Sequence, residues 1–227
     1  MKILVVGGGA REHAFAWKLS RERTVTGIVC APGNPGIAAV ARCVPADPGK
    51  PDDLLAIAKR EKVDLTVVGP EVPLSRGVVD VFAANHRSIV GPSAAAAALE
   101  SSKAFAKDFM ARHDVPTARF RICDSADAAL REIARVEFGY PLVIKADGLA
   151  AGKGVVIAED RSSAEATIRD VMVTRKFGAS GERVVLEEFL SGQEASYFVL
   201  ADGAAFMPLS SAQDHKRIFD DDRGPIT

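Results

Sequence analysis

The sequence predicts an α/β protein in which a doubly wound parallel-sheet domain is followed by an α+β region. In the first ninety or so residues, short apolar runs that end near glycines alternate with segments of helical composition. Beyond Gly91 this alternation gives way to strands around a glycine-rich loop and then to a hairpin pattern. With 227 residues, 48% of them apolar, the chain is long enough to bury one or two cores.

The elements of the first domain follow from its apolar periodicity. Strands that are buried on both faces of a parallel sheet are continuous apolar runs, and we predict four of them, at 2–6, 25–29, 65–68 and 88–90. Helices are predicted at 12–19, 52–60 and 78–84. This order places helices on both faces of the sheet and ligands at the carboxyl ends of its strands.

The second region has a different organisation. Its strong helix formers predict helix within 94–112 and at 126–136, where Ser125 is the expected N-cap. A capping box of Ser162 with Glu165 predicts a helix that ends near Val173. Strands are predicted at 142–145, 155–158 and 184–186, and a hairpin at 197–201 and 205–209 around Asp202-Gly203. We expect these strands to be antiparallel.

Composition limits the class of partner. The net charge of −1 gives no polyelectrolyte signature, so we expect neither a nucleic acid nor a membrane partner. The segment MKILVV is too short for a signal sequence. The three cysteines, Cys30, Cys43 and Cys123, show no metal or disulfide spacing. We therefore expect a cytoplasmic protein. Small-molecule partners and a monomer or weak oligomer are separate predictions, which composition does not establish.

Residues 145–154, KADGLAAGKG, predict a polyphosphate site. Two lysines bracket small residues, which let backbone N–H groups approach an anion, and Lys145 ends an apolar strand where a lysine is disfavoured without an anion to meet. The loop is not a Walker A motif, because three residues rather than four separate Gly148 from Gly152 and Lys153 is followed by glycine. Upstream, Lys103 taken alone is best interpreted as a solvated surface lysine.

Two further segments could bind ligands. Residues 7–12, GGGARE, follow a strand and begin a helix, a position that favours a phosphate. They fit a small phosphorylated metabolite better than NAD, since Glu12 occupies the third glycine position, and a tight packing turn is the alternative. Residues 187–194, EEFLSGQE, could offer backbone groups to an adenine edge and Glu194 to ribose hydroxyls, although a solvated turn would look similar.

The combination of motifs resembles the phosphoribosylamine–glycine ligase family of the ATP-grasp superfamily, over essentially the whole chain. The motifs are VGGGAREHA, APGNPG, VVGPEVPL, SSKAFAKDFM, PLVIKADGLAAGKGV, VLEEFLSGQEAS and SAQDHKR. The resemblance implies an N-terminal substrate-binding, or pre-ATP-grasp, domain at 1–100. It further implies an ATP-grasp linker helix and lid subdomain at 101–190 and the start of a second ATP-grasp subdomain at 191–227.

The same resemblance implies an ATP-dependent carbon–nitrogen ligase of purine biosynthesis. Glycine would be phosphorylated on its carboxylate by ATP, and 5-phosphoribosylamine would attack the acyl phosphate to give glycinamide ribonucleotide. ATP and Mg²⁺ (or Mn²⁺) are the implied cofactors. Similarity would place phosphoribosylamine near Gly9, Arg11, Glu12, Asn34 and Gly36.

The implied ATP site is larger. Lys103 and Lys145 would contact the phosphates beneath a lid loop, and Glu194 would contact ribose. The loop residues are Gly148, Gly152, Lys153 and Gly154, and the adenine residues are Glu187, Glu188, Phe189 and Leu190. Lys145, Asp214 and Lys216 would be catalytic, while an exposed polar loop is the alternative for Asp214, His215, Lys216 and Arg217.

The sequence departs from the family where the segment at Gly224-Pro225 is followed by Ile226 rather than asparagine. The resemblance implies that roughly half the usual family length, with its magnesium ligands, would lie beyond this point. No metal ligand is therefore assigned, and we expect these 227 residues alone to be inactive. Two alternatives remain open: another ATP-grasp carboxylate–amine ligase, and a truncated, non-catalytic nucleotide-binding fragment. The N-terminal motifs favour phosphoribosylamine over the first of these.

Overall fold

The computed structural model describes residues 1–135, 137–149, 153–213, 217–220 and 223–226. The chain forms two compact units, Met1–Phe189 and Leu190–Thr227. Within the described residues, no helix has both the length and the apolar character needed to cross a membrane.

The first unit begins with a five-stranded parallel sheet. Its strands, in the order β3-β2-β1-β4-β5, are β1 (Lys2–Gly7), β2 (Gly27–Pro32), β3 (Arg42–Cys43), β4 (Leu65–Val68) and β5 (Ile89–Val90). The predicted doubly wound parallel sheet is therefore confirmed. Strand β3 was not predicted, because two residues that include an arginine form no apolar run.

Four helices accompany this sheet: α1 (Ala10–Leu19), α2 (Pro51–Arg60), α3 (Glu71–Ser75) and α4 (Val78–Ala84). Alternate side chains of β1 enter two different cores, as expected for a strand that is covered on both faces. Leu4 packs in the core that contains Leu54 of α2 and Phe82 of α4, whereas Ile3 packs in the core that contains Ala16 of α1. The short helix α3 was not predicted.

The rest of the first unit contains a four-stranded sheet and the helices around it. Its elements in chain order are α5 (Ala94–Ser101), α6 (Lys103–Arg112), β6 (Phe120–Cys123), α7 (Ala126–Arg135), β7 (Leu142–Ala146), β8 (Val155–Ala158), α8 (Arg161–Ile168) and β9 (Val184–Glu188). The strand order is β6-β9-β7-β8 and every pairing is antiparallel, as predicted.

The helix boundaries in this part correct two details of the prediction. The helix-rich segment is divided at Ser102, whose hydroxyl accepts a hydrogen bond from the Phe105 amide at 3.1 Å and caps α6. Helix α8 is capped by Asp160 rather than by Ser162, because the Asp160 carboxylate accepts from the Ser163 amide at 2.8 Å. Ser125 accepts from the Ala128 amide, as the prediction of an N-cap requires.

The two faces of the four-stranded sheet differ in chemistry. One face contributes Ile144 and Leu186 to a core that is closed by α7 and α8. The opposite face carries Lys145 and Glu187. Glu187 is paired directly with Val143, and directly paired residues of an antiparallel sheet share a face. Lys145 lies two positions after Val143 in the same strand, so it shares that face as well. A basic and an acidic side chain therefore stand side by side on the face away from the core.

The second unit contains two antiparallel hairpins. Strands β10 (Val199–Ala201) and β11 (Phe206–Pro208) form the predicted one, and Asp202 accepts from the Ala204 and Ala205 amides in its turn. Strands β12 (Arg217–Phe219) and β13 (Arg223–Ile226) form the other, which was not predicted.

Candidate functional site

Strands β1 and β4 are neighbours in the parallel sheet, and the region at their carboxyl ends is called the crevice below. The chain runs outward from β1 through β2 to β3 on one side of the sheet and continues with β4 on the other side of β1, so the strand order reverses at this point. Open α/β sheets bind ligands at such a reversal. Residues 7–9 leave β1 and Gly69 leaves β4, so both rims consist of glycine-containing turns. This is where the predicted phosphate-binding loop falls.

Glu12 holds the turn that follows β1. Its side chain is buried, and Oε2 accepts a hydrogen bond from the Gly9 amide at 2.6 Å. A Cβ on Gly69 would stand 1.8 Å from Oε1 of Glu12, so glycine is required there to leave room for the carboxylate. In the structure Glu12 thus caps α1 and occupies one of the amides that a phosphate could have used.

The other predicted substrate residues surround the same crevice. Arg11 is exposed and donates to the Gly69 carbonyl at 2.6 Å, which holds its guanidinium across the rim. Asn34 donates from Nδ2 to the Gly8 carbonyl at 2.8 Å, and a Cβ on Gly36 would touch the His13 ring. The segments GGGARE and APGNPG, although some twenty residues apart in sequence, therefore form one wall.

A second site is built on the polar face of the four-stranded sheet. Glu187 is 3% exposed, and its Oε2 lies 2.9 Å from Nζ of Lys145 and 3.0 Å from Nζ of Lys107. Two ammonium groups thus share one carboxylate oxygen. The cluster keeps one uncompensated positive charge, which suits an anionic ligand.

Lys103 is held beside this cluster by the base of the glycine loop. Its ammonium donates to the Gly148 carbonyl at 3.1 Å and its amide donates to the Asp147 carbonyl at 3.2 Å. Burial lowers the pKa of Lys103, and the Asp147 carboxylate opposes this effect. An anion that approached Lys103 would act in the same direction as Asp147 and favour the charged ammonium.

Asp147 joins the loop to helix α6. Its carboxylate accepts from the Ala104 amide at 2.7 Å and from the Ser102 hydroxyl at 3.0 Å. The loop that carries Gly148 is therefore fixed to the helix that carries Lys103.

A cleft of about 290 Å³ opens between α6 and the sheet. Its walls combine the three lysines and Glu187 with apolar side chains, among them Met110 and Val155. Cations at one part of a cleft and apolar surface at another fit a nucleotide, whose phosphates are charged and whose base is flat and apolar on its faces.

The remaining predicted ATP residues lie in several places. Gly148 and Gly154 flank the loop; a Cβ on Gly148 would collide with Ser180, and the Gly154 carbonyl accepts from the Ala146 amide. Lys153 is exposed. Gly152, Asp214, His215 and Lys216 are outside the described residues.

The residues after β9 divide between the two units. Glu188 pairs with Arg119 at 2.6 Å, and hydrogen bonds from the Arg119 amide and side chain lower the pKa of its carboxyl. Phe189 ends the first unit with an exposed side chain, whereas Leu190 and Glu194 belong to the second.

Sequence reasoning missed Lys107 and Asp147. Lys107 follows Lys103 by four residues and so lies on the same face of α6, a spacing that could have indicated it. Asp147 lies inside the glycine-loop motif, but its role depends on a contact with residues more than forty positions away. No group of three or more His, Cys, Asp or Glu within the described ranges is arranged to hold a metal ion.

Two family models match the chain. Residues 1–100 match the N domain of phosphoribosylglycinamide synthetase, and residues 101–227 match the ATP-grasp (A) domain of the same enzyme. Among curated relatives, the phosphoribosylamine–glycine ligases of Xylella fastidiosa (strain Temecula1) and Escherichia coli (strain K12) are 53% and 49% identical to it. The alignments cover 100% of this chain but 53% of each relative, so the chain spans about half of their length.

Solved structures agree. The crystal structure of phosphoribosylamine–glycine ligase from Thermotoga maritima superposes with a TM-score of 0.82 at 31% identity, over 100% of this chain and 54% of that one. The biotin carboxylase domain of Hydrogenobacter thermophilus 2-oxoglutarate carboxylase, in complex with MgADP, gives a TM-score of 0.74 at 17% identity, over 92% of this chain and 49% of that one. The second likeness concerns the fold alone.

Proposed function

Because the chain belongs to the phosphoribosylglycinamide synthetase family, we propose that its protein ligates glycine to 5-phosphoribosylamine with ATP as the energy source. The products are glycinamide ribonucleotide, ADP and phosphate, in the de novo synthesis of purines. Residues 1–100 would bind the sugar phosphate, 101–190 would bind ATP, and 191–227 would begin the second ATP-grasp subdomain.

The observation that carries this proposal is the cationic cleft. Lys103, Lys107 and Lys145 line the cleft beside apolar side chains, and the two carboxylates in the lining, Glu100 and Glu187, balance only part of their charge. Phosphoryl transfer requires positioning and charge stabilisation rather than a covalent nucleophile, so a lysine clamp of this kind is what the reaction needs from this part of the chain.

The crevice at the ends of β1 and β4 supports the choice of co-substrate. It combines turn amides with the exposed guanidinium of Arg11, groups that suit the phosphate and hydroxyls of a phosphoribosyl ring. Gly9, Asn34 and Gly36 would line this site, and Glu12 would hold the turn in shape through the Gly9 amide.

The reaction would proceed by two displacements. A carboxylate oxygen of glycine attacks the γ-phosphorus of ATP, and the bond to ADP breaks. The amine nitrogen of phosphoribosylamine then attacks the carbonyl carbon of the glycyl phosphate, the carbon–oxygen bond to phosphate breaks, and the nitrogen loses a proton. Lys103 and Lys145 would hold the phosphate oxygens during the first displacement.

Magnesium or manganese ions, when bound, would neutralise charge on the phosphates. Glu187, Glu188, Phe189 and Leu190 would surround the adenine, and Glu194 would receive the ribose hydroxyls. Gly148, Gly152, Lys153 and Gly154 would form the lid loop, and Asp214 and Lys216 would assist Lys145 in catalysis.

Glycine labelled with heavy oxygen in its carboxylate tests this function in the full-length protein. The mechanism transfers one of the labelled oxygens to inorganic phosphate, which mass spectrometry detects, and it requires phosphoribosylamine. Unlabelled phosphate would exclude the acyl phosphate route. ADP release that depends on a different acid or amine, such as bicarbonate, would favour another ATP-grasp ligase.

A further inference from the structure

Lys107 is a buried ammonium for which the proposed reaction has no direct use. Its residue is 6% exposed, and it projects from α6 toward the polar face of the sheet. Its Nζ donates to the Thr117 hydroxyl at 2.7 Å and lies 5.6 Å from the centre of the Phe120 ring. Burying a lysine is costly unless the ammonium is paired, so its place depends on these contacts and on Glu187.

Lys107 and Lys145 approach Glu187 from different environments. Both side chains border the cleft, but that of Lys107 is 8% exposed whereas that of Lys145 is 28% exposed. Both contact Oε2, while Oε1 is buried and accepts no hydrogen bond from the described residues. Lys107 is therefore the interior partner of the carboxylate, and Lys145 is the partner that a ligand can reach.

This arrangement decides how strongly Lys145 can attract a phosphate. If Glu187 faced Lys145 alone, the two charges would cancel, and a phosphate would have to compete with the carboxylate. Because Lys107 shares the same oxygen, the pair of lysines retains one net positive charge in a partly buried cleft, where the screening by water is weak.

We propose that Lys107 is a positioning residue, which acts through Glu187 to hold Lys145 in place while leaving its charge available to the phosphates of ATP. The inference rests on the proposed ATP site. Lys107 makes no contact with the nucleotide in this account, so its effect should scale with the number of phosphates on the ligand and should be absent for the nucleoside.

Calorimetric titration of the full-length protein with ATP and with adenosine tests this inference. Lys107→Met removes the charge and keeps much of the stem. Glu187 would then cancel the charge of Lys145, so ATP binding should weaken about tenfold or more, as if the phosphates had lost the charge-assisted contact with Lys145, while adenosine binding should change less than about twofold. Lys107→Arg should stay within about threefold of the unaltered protein, because it keeps the charge. Lys176→Met, which removes an exposed lysine of the same unit, is the matched control and should bind ATP normally.

A double variant separates positioning from general damage. Lys107→Met with Glu187→Gln removes one charge of each sign, so the cluster regains its net positive charge. Because Glu187 would also border the adenine, the change in adenosine affinity is subtracted first; ATP binding should then recover at least about threefold over Lys107→Met alone. A purely structural role predicts further loss instead. If Lys107→Met does not fold, as judged by circular dichroism, Lys107→Gln takes its place, since an amide can still donate to Glu187 without the charge.

Equal loss of ATP and adenosine, or no recovery in the double variant, would overturn the inference while leaving the ATP site intact. Normal ATP binding by Lys107→Met would do the same. Failure of the unaltered protein to bind ATP would instead refute the proposed function, and the inference with it.

Discussion

Asp147 is predicted to be the residue whose loss most directly separates the glycine loop from helix α6. Its carboxylate is the shared acceptor for the Ala104 amide at 2.7 Å and the Ser102 hydroxyl at 3.0 Å, and its side chain is 17% exposed. The Asp147→Ala variant leaves the Ala104 amide, which belongs to a residue that is 2% exposed, without its acceptor.

The expected cost can be worked from these contacts. A hydrogen bond from a buried amide to a charged acceptor contributes about 1.5–3 kcal/mol, and the bond from the hydroxyl about 1 kcal/mol, so Asp147→Ala should lower the free energy of unfolding by about 2.5–4 kcal/mol. The ion pair with Arg183 should add little, because the two groups are 4.0 Å apart and the arginine side chain is about half exposed. Asp147→Asn keeps an acceptor and loses a negative charge at the start of α6, which should cost about 1 kcal/mol.

Urea denaturation followed by circular dichroism measures both variants against the unaltered protein. The alanine variant should unfold at clearly lower urea, with the asparagine variant between the two. Equal stability of the alanine variant and the unaltered protein would refute the anchoring role. An asparagine variant as unstable as the alanine variant would show that charge, and not the acceptor geometry, is what matters.

Further predictions concern the first domain and the cysteines. Gly9→Val should raise the phosphoribosylamine concentration required for turnover, while ATP affinity measured by calorimetry stays unchanged; equal loss of both would indicate misfolding. Gly69→Ala should destabilise the protein in thermal unfolding, because its Cβ would overlap Oε1 of Glu12, and an unchanged melting temperature would contradict this packing. Burial raises the pKa of Cys30 to about 12 and that of Cys123 to about 11, so their thiolates form only at high pH. Both cysteines should therefore resist iodoacetamide at neutral pH. Rapid alkylation of either one, detected by mass spectrometry, would contradict their burial.

The fold could be predicted wherever burial imposes a periodic pattern. The continuous apolar runs at β1 and β4 identified a parallel sheet, since such strands have no solvent-facing side. Strand β3 has two residues and joins the sheet through the register of Cys30 with Cys43, a tertiary property that leaves no local pattern. The break between α5 and α6 lies at Ser102, which caps α6. The surrounding residues are strong helix formers that would also suit one long helix, so composition alone does not show the break.

The candidate site was partly visible in the sequence. Lys145 stood out because it ends an apolar strand, and the glycines around it indicated an anion. The partnership of Lys145 with Glu187 and Lys107 could not be predicted, because it depends on strand register and on the placement of α6 against the sheet. The motif placed Glu12 near the substrate but did not reveal that its carboxylate caps its own helix. Its contact with the substrate stays a prediction.

ATP binding by Lys145 variants of the full-length protein is the most direct test of the ATP site. Lys145→Ala and Lys145→Gln should each weaken ATP binding by about 1.5–3 kcal/mol, or roughly 10- to 150-fold, because the ammonium charge rather than the stem is what holds the phosphates. The two variants should resemble each other and retain the unaltered fold, since Glu187 keeps Lys107 as a partner. Nucleotide affinity equal to that of the unaltered protein in both variants, measured by calorimetry, would remove Lys145 from the site and contradict the account.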